Sequence, residues 1–168
     1  MGGAGTVDTG KTTDYRTLRF ETLGEIQREL DTLAAAHRDG TLRTSGNWTP
    51  GQNFSHLAAF ITYGFDGYPP EISTPPWFIK AILKFLKKRF LYKQLPRGVN
   101  IPGVKGGTVG ADDVSFEDGM ARLRGCLDRL ERSCPASPNP IFGQLTHAEW
   151  KSLHMRHSEL HLGFLHPR

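Results

Sequence analysis

Cysteine is scarce in this chain. Cys126 and Cys134 are the only two in 168 residues. They are too few and too far apart for a zinc cage or a redox pair, and no disulfide staple is expected. No run approaches the roughly 18 apolar residues of a membrane span. The opening residues, Met1 to Lys11, lack the apolar stretch of a secretory signal. Met1 to Thr6 fits a loose myristoylation pattern, but Gly-rich leaders make such matches cheaply. Acidic residues are in slight deficit, with 17 Asp and Glu against 21 Lys and Arg and a formal net charge of +4. That balance permits an acidic partner without requiring one. At 38% hydrophobic and 23% charged residues, the composition is that of a globular protein. The length suits one domain with a real core. The expected setting is reducing, hence cytoplasmic.

Alternating strand patterns are also missing, whereas helical periodicity recurs. Residues 1–13 are Gly/Thr-rich and read as a disordered leader. Residues 14–168 read as a single domain. A first helix is expected from Asp14 to His37, with Phe20, Leu23, Leu30 and Leu33 on one side and Gly40 as its stop. Thr49-Pro50-Gly51-Gln52 is a capping box with proline at the first helical position, predicting a second helix to about Tyr63 or Gly64. A third helix is expected from Pro76 to about Gln94. Phe78, Ile82, Phe85 and Leu86 form its apolar side, and Lys80, Lys84, Lys87, Lys88 and Lys93 lie mostly on the other. Residues 96–113 form a long Gly/Pro loop, including Pro102, Gly103 and Gly106. A fourth helix opens at Ser115 and runs to about Arg132. The last, with the capping box Thr146-His147-Ala148-Glu149, runs from His147 to about Leu165. The fold class is therefore all-α: a four-helix bundle with a long crossover carrying an additional helix.

Seven histidines are present, and five fall in the last 22 residues. At about 100° per residue, with His157 at zero, His161 lies near 40°, His154 near 60° and Trp150 near 20°. Leu153, Leu160 and Phe164 lie within roughly 60° on the other side. Three histidines thus occupy an apolar stripe, while Lys151, Ser152, Arg156 and Glu159 fall on the opposite, polar side. A histidine facing a core must find a hydrogen-bond partner or a metal. The i, i+4 spacing of His157 and His161 sets two imidazoles one above the other, close enough for one ion. Neutral imidazole suits Zn, Ni, Cu or Fe(II). A third ligand should come from a facing helix, and His56, which shares a face with Phe60 and Tyr63, is the natural candidate. Glu159 follows His157 by two residues and points away, so the zincin type of general base is missing here. His154 is open to three readings: a fourth ligand, a group in the substrate pocket behind the ligands, or a packed core residue. His37 and His147 read as caps or solvated groups, and His166 lies on the polar side.

The string Trp48-Thr49-Pro50-Gly51-Gln52-Asn53-Phe54-Ser55-His56-Leu57-Ala58 resembles the second-helix signature of the DinB/YfiT-like superfamily. His157-Ser158-Glu159-Leu160-His161 resembles its closing His-x-x-x-His. Phe142-Gly143-Gln144-Leu145-Thr146 with Glu149-Trp150 is similar to a branch described as a domain of unknown function. The resemblance spans roughly residues 15–165. It implies a divalent metal at one end of a four-helix bundle, held by His56, His157 and His161. Relatives include metal hydrolases and transferases or isomerases that use a low-molecular-weight thiol as cosubstrate. The Lys-rich third helix and the loop from Pro96 to Gly110 look longer than the usual crossover, so the substrate does not carry over.

Three neutral imidazoles leave a divalent ion (Zn, Ni or Fe) with open positions, at which water or a thiol would lose its proton near neutral pH. The expected function is a metal-dependent enzyme of the hydrolase or thiol-dependent transferase class acting on a small-molecule substrate. Tyr63 and His154 are the candidate catalytic side chains by helical phase. Gln52 and Asn53 are candidates for orienting substrate, and Trp48, Trp150 and Phe60 for walling the site. The alternative is a non-catalytic metal-binding or stress-response module. Neither nucleic acid nor a membrane is an expected partner, because the basic helix reads as a solvated face. A homodimer is allowed. If the histidines hold a metal, verified chelation should lower the melting temperature; an unchanged melt would assign them to packing alone.

Overall fold

The structure, a computed structural model, describes residues 6–72, 76–100, 104 and 107–168, with backbone alone over 79–81. It is mostly helical: α1 (Leu23–Arg38), α2 (Pro50–Asp66), α3 (Trp77–Tyr92), α4 (Phe116–Arg132) and α5 (His147–Leu162). Two short strands, β1 (Arg43–Thr44) and β2 (Leu165–His166), pair antiparallel, with Arg43 opposite His166 and Thr44 opposite Leu165. Two-residue strands carry no readable period, which is why the sequence did not announce them. Pro75, Pro102, Gly103, Gly106 and the first five residues of the expected leader lie outside the described residues. The later part of that leader is tied down. Val7 exchanges hydrogen bonds with the Asn47 side chain, and Arg97 donates to the Thr12 carbonyl.

Local chemistry sets the helix starts. Thr22, Thr49 and Thr146 each form a complete capping box with the residue three places on, and Ser115 caps α4 through the Asp118 amide. The core gathers Ile26, Leu30 and Leu33 of α1, Phe54, Leu57 and Ile61 of α2, Leu123, Leu127 and Leu130 of α4, and Trp150 and Leu162 of α5. α2 lies along α4, while α5 touches α1, α2 and α3. No helix among the described residues is long and apolar enough to cross a membrane.

Three expectations are corrected. The first helix begins at Leu23, not Asp14, because Thr22 caps it; the residues before it run without regular structure along α5. There Tyr15 donates its hydroxyl to the Glu159 and Leu160 carbonyls at 3.0 and 3.2 Å, and the Arg16 amide donates to the Gly163 carbonyl. The same segment explains the second correction. Arg156 and Glu159 fall on the polar side of the helix by phase, yet they are 2% and 1% exposed. They pair at 2.8 Å, and Glu159 accepts the Phe20 amide at 2.6 Å while Arg156 donates to the Phe20 carbonyl. α5 also stops at Leu162, after which the chain turns at Gly163 into β2. Third, the apolar side of α3 (Phe78, Ile82, Phe85 and Leu86) does not pack inward but is exposed. The helix is anchored instead by Leu91, by Phe90 against Phe142, and by Lys87 on Glu149 at 2.7 Å.

α2 and α4 approach most closely at their first turns, where glycine is required. A Cβ on Gly51 would lie 2.2 Å from the Val114 carbonyl oxygen, and one on Gly119 would lie 2.7 Å from the Gly51 carbonyl oxygen. Backbone cannot yield as a side chain can, so Gly51→Ala should cost about 1–3 kcal/mol. Gly125, also in α4, has nothing within 4 Å of its would-be Cβ. Gly125→Ala should therefore gain about 0.5–1 kcal/mol from helix propensity. Urea unfolding of the two variants beside the wild type checks both signs.

Candidate metal centre

The Thr49 capping box fixes where α2 begins, and two turns later the helix presents His56, 2% exposed. α5 presents His157 and His161, one turn apart and both half-buried. His56 donates its Nδ1–H to the Val109 carbonyl at 2.8 Å. A carbonyl can only accept, so the ring proton sits on Nδ1 and Nε2 carries a lone pair. That lone pair faces α5, with His56 Nε2 3.2 Å from His157 Nε2. One ring nitrogen from each of His56, His157 and His161 lies within 4.8 Å of the others. Nitrogens bound at about 2.0–2.1 Å around a tetrahedral ion stand roughly 3.3 Å apart, so the three imidazoles could hold one metal ion after small ring adjustments. Among the described residues no carboxylate joins the group.

Aromatic rings surround the three histidines. Trp48 stacks on His161, with centroids 5.3 Å apart and planes 9° apart, and is tilted against His56 at 5.0 Å. Phe60 lies 4.7 Å from His56 and 5.1 Å from His157. This walling depresses proton affinity. Burial lowers the pKa of His56 to about 4, outweighing the opposing effect of the Val109 bond. Burial, then the neighbouring imidazoles, holds His157 well below its ordinary range, and burial and His56 do the same for His161. At neutral pH all three are in the form that ligates.

The other residues singled out from sequence fall into place differently. Tyr63 is half-buried, next to Phe60 and Tyr68, one ring removed from the histidines. Its phenol pKa is raised by burial and by Asp112 and Glu71. His154 does not join the group; it stacks on Trp150 at 5.7 Å and 9°, and its buried Nε2 has no partner among the described residues. Burial lowers its pKa to about 3. Trp150 thus backs His154 rather than walling the group. Gln52 and Asn53 serve the helix start: Gln52 completes the capping box, and Asn53 donates to the Thr49 carbonyl. His37 stacks on Phe116, His147 reaches the Leu130 carbonyl, and His166 meets the Ser45 hydroxyl.

Sequence reasoning missed Val109, because a main-chain carbonyl has no residue signature. The usable signal was its neighbour Gly110, with φ of 77°. A Cβ there would lie 2.6 Å from Ala59 Cβ and 3.2 Å from the Tyr63 hydroxyl. Only glycine lets the loop lie this flat on α2.

A family model described as a protein of unknown function (DUF1569) matches residues 12–168, and the chain belongs to that family. No curated protein and no solved structure matches the chain.

The buried imidazoles make acid stability predictable. His56 stays neutral in the folded protein down to about 4, whereas the unfolded chain protonates near 6.5. Between those values the unfolded state binds more protons, so stability falls as pH falls, by up to about 1.4 kcal/mol per pH unit for each such ring. His154 extends the window to about 3. Melting temperatures of metal-free protein should drop across this range, and less steeply in His154→Phe. A wild-type melting temperature that holds level down to pH 4 would contradict the assignment.

Proposed function

We propose that this chain is a DinB/YfiT-like metal-dependent enzyme. In this reading α1, α2, α4 and α5 form a four-helix bundle, α3 belongs to the crossover, and His56, His157 and His161 hold one divalent cation. The observation that carries the reading is the His56 ring, pinned by Val109 at Nδ1 with its Nε2 directed at His157. A metal ligand oriented through its second nitrogen is the usual arrangement of such sites. The partial exposure of His157 and His161 supports a solvent-facing side, where a small-molecule substrate would enter.

A divalent ion held by three neutral imidazoles supplies Lewis-acid activation of water or of a low-molecular-weight thiol. The chain's own residues do the rest. Trp48 and Phe60 exclude water from the flanks of the histidines. Tyr63, whose phenol keeps its proton at neutral pH, is the proposed donor to a leaving group. His154 is a poor base at a pKa of about 3, and its stacking on Trp150 suits it to setting the pose of α5 behind the ligands. The two cysteines are free, which supports the reducing, cytoplasmic setting.

The competing reading is a metal-binding module without turnover, in which the aromatic enclosure of the three histidines by Trp48 and Phe60 serves to hold the ion. Metal analysis of wild type and His157→Ala, followed by a panel of thiol and ester substrates, separates the readings. The enzyme predicts one metal per chain, at least about tenfold weaker binding in the variant, and turnover that disappears with the metal. Stoichiometric metal without turnover on any substrate selects the module. Failure to bind any of Zn, Ni, Cu or Fe(II) overturns both.

A further inference from the structure

The outer face of α3 is apolar and uncovered. Trp77 is 80% exposed, Phe78 51%, Ile82 56% and Phe85 88%. At about 100° per residue, with Trp77 at zero, Phe85, Phe78, Ile82 and Leu86 follow at roughly 80°, 100°, 140° and 180°. Lys84 and Lys88 lie within about 20° of Trp77 on either side, and Arg89 falls near 120°, inside the patch. All three cations are exposed, and none makes an ion pair among the described residues. The helix is not loose, since Leu91, Phe90 and Lys87 anchor its inner side. Its outer face is therefore presented as a fixed surface. A contiguous uncovered patch of this kind marks an interaction site.

Charge selects the occupant. Residues 72–111 hold eight of the 21 lysines and arginines and none of the 17 acidic residues. The rest of the chain carries 13 basic against 17 acidic side chains, so the net positive charge comes entirely from this segment. A second copy of the same face would set Lys84, Lys88 and Arg89 against their own kind, with no carboxylate on the segment to relieve them. A nucleic acid would satisfy the cations but leave Ile82, Phe85 and Leu86 facing phosphate or water. A surface of hydrocarbon beneath anionic headgroups satisfies both. Aromatic and aliphatic tips enter the boundary while long cationic side chains reach the phosphates.

We propose that the outer face of α3 docks this protein on an anionic lipid surface, with Trp77, Phe78, Ile82 and Phe85 entering the headgroup boundary and Lys84, Lys88 and Arg89 meeting the headgroups. This reading is independent of the metal centre. It also revises the expectation from sequence, which read the basic residues of this helix as a solvated face and expected no membrane partner.

The test is sedimentation of the chain with vesicles of phosphatidylcholine, alone or mixed with phosphatidylglycerol, at low and high salt. Binding should require the anionic lipid and weaken with salt. Combined Lys84→Glu and Lys88→Glu should weaken it at least about twentyfold, since each cation near such a surface contributes roughly fivefold. Phe85→Ser should weaken it about tenfold or more. These side chains are exposed, so melting temperatures should not move. Vesicles should shift tryptophan emission to shorter wavelength in wild type and not in Trp77→Phe. Absence of binding to anionic vesicles, or equal binding to neutral ones, overturns the proposal. So does a concentration-dependent dimer dispersed by Phe85→Ser, which assigns the face to a second copy. Duplex DNA binding that survives Phe85→Ser but not charge reversal, without vesicle binding, assigns it to nucleic acid.

Discussion

The pair formed by Arg156 and Glu159 is the constraint on which the placement of α5 depends. Two charges removed from water carry a desolvation cost that only good geometry and further hydrogen bonds offset. Here Phe20 supplies them, its amide to Glu159 and its carbonyl to Arg156. The offset is incomplete, because Nε and Nη1 of Arg156 have no partner among the described residues. The pair nonetheless fixes one side of α5 against the segment before α1. With that side closed, the opposite side of the helix, carrying His157 and His161, is left facing α2. A buried ion pair of this kind contributes to register more than to net stability.

The histidine cluster is built from main-chain decisions as much as from histidines. The Thr49 box sets the first residue of α2 and hence the phase at which His56 emerges. Gly51 and Gly119 bring α4 against that first turn. Gly110 lets the long loop lie on α2, and the Val109 carbonyl then decides which nitrogen of His56 carries the proton. Three short backbone features thus convert a histidine on a helix into a donor with a defined direction. The neutral state follows from the walls, because Trp48 and Phe60 leave little room for the water that would solvate an imidazolium.

The legible parts of the sequence were those with local causes. Thr49-Pro50, Ser115 and Thr146 announced three helix starts, because a cap is a short-range hydrogen bond between residues three apart. The i, i+4 spacing of His157 and His161 and the phase of His56 pointed to three rings that the fold places side by side. The first helix was extended too far because Phe20 and Leu23 share its apolar rhythm, yet Phe20 packs from the segment ahead of the Thr22 cap. Arg156 and Glu159 read as polar-side residues because, although they pair with each other three residues apart, the Phe20 main-chain groups that complete their burial lie over a hundred residues away. On α3, helical phase gathered Phe78, Ile82, Phe85 and Leu86 on one side, but amphipathicity does not say which side meets the protein. Gln52 looked free to orient a substrate only because its bond to Thr49 is silent in a list of residue types.

The contact between Tyr15 and the end of α5 spans 144 and 145 residues of chain. Closing so large a loop is entropically expensive, although the cost grows only slowly with length. Contacts of this separation slow folding, because the ordering cost comes before the stabilisation it allows. The histidine cluster needs α5 in place beside α2, so its assembly shares the ordering cost of bringing the two ends of the chain together.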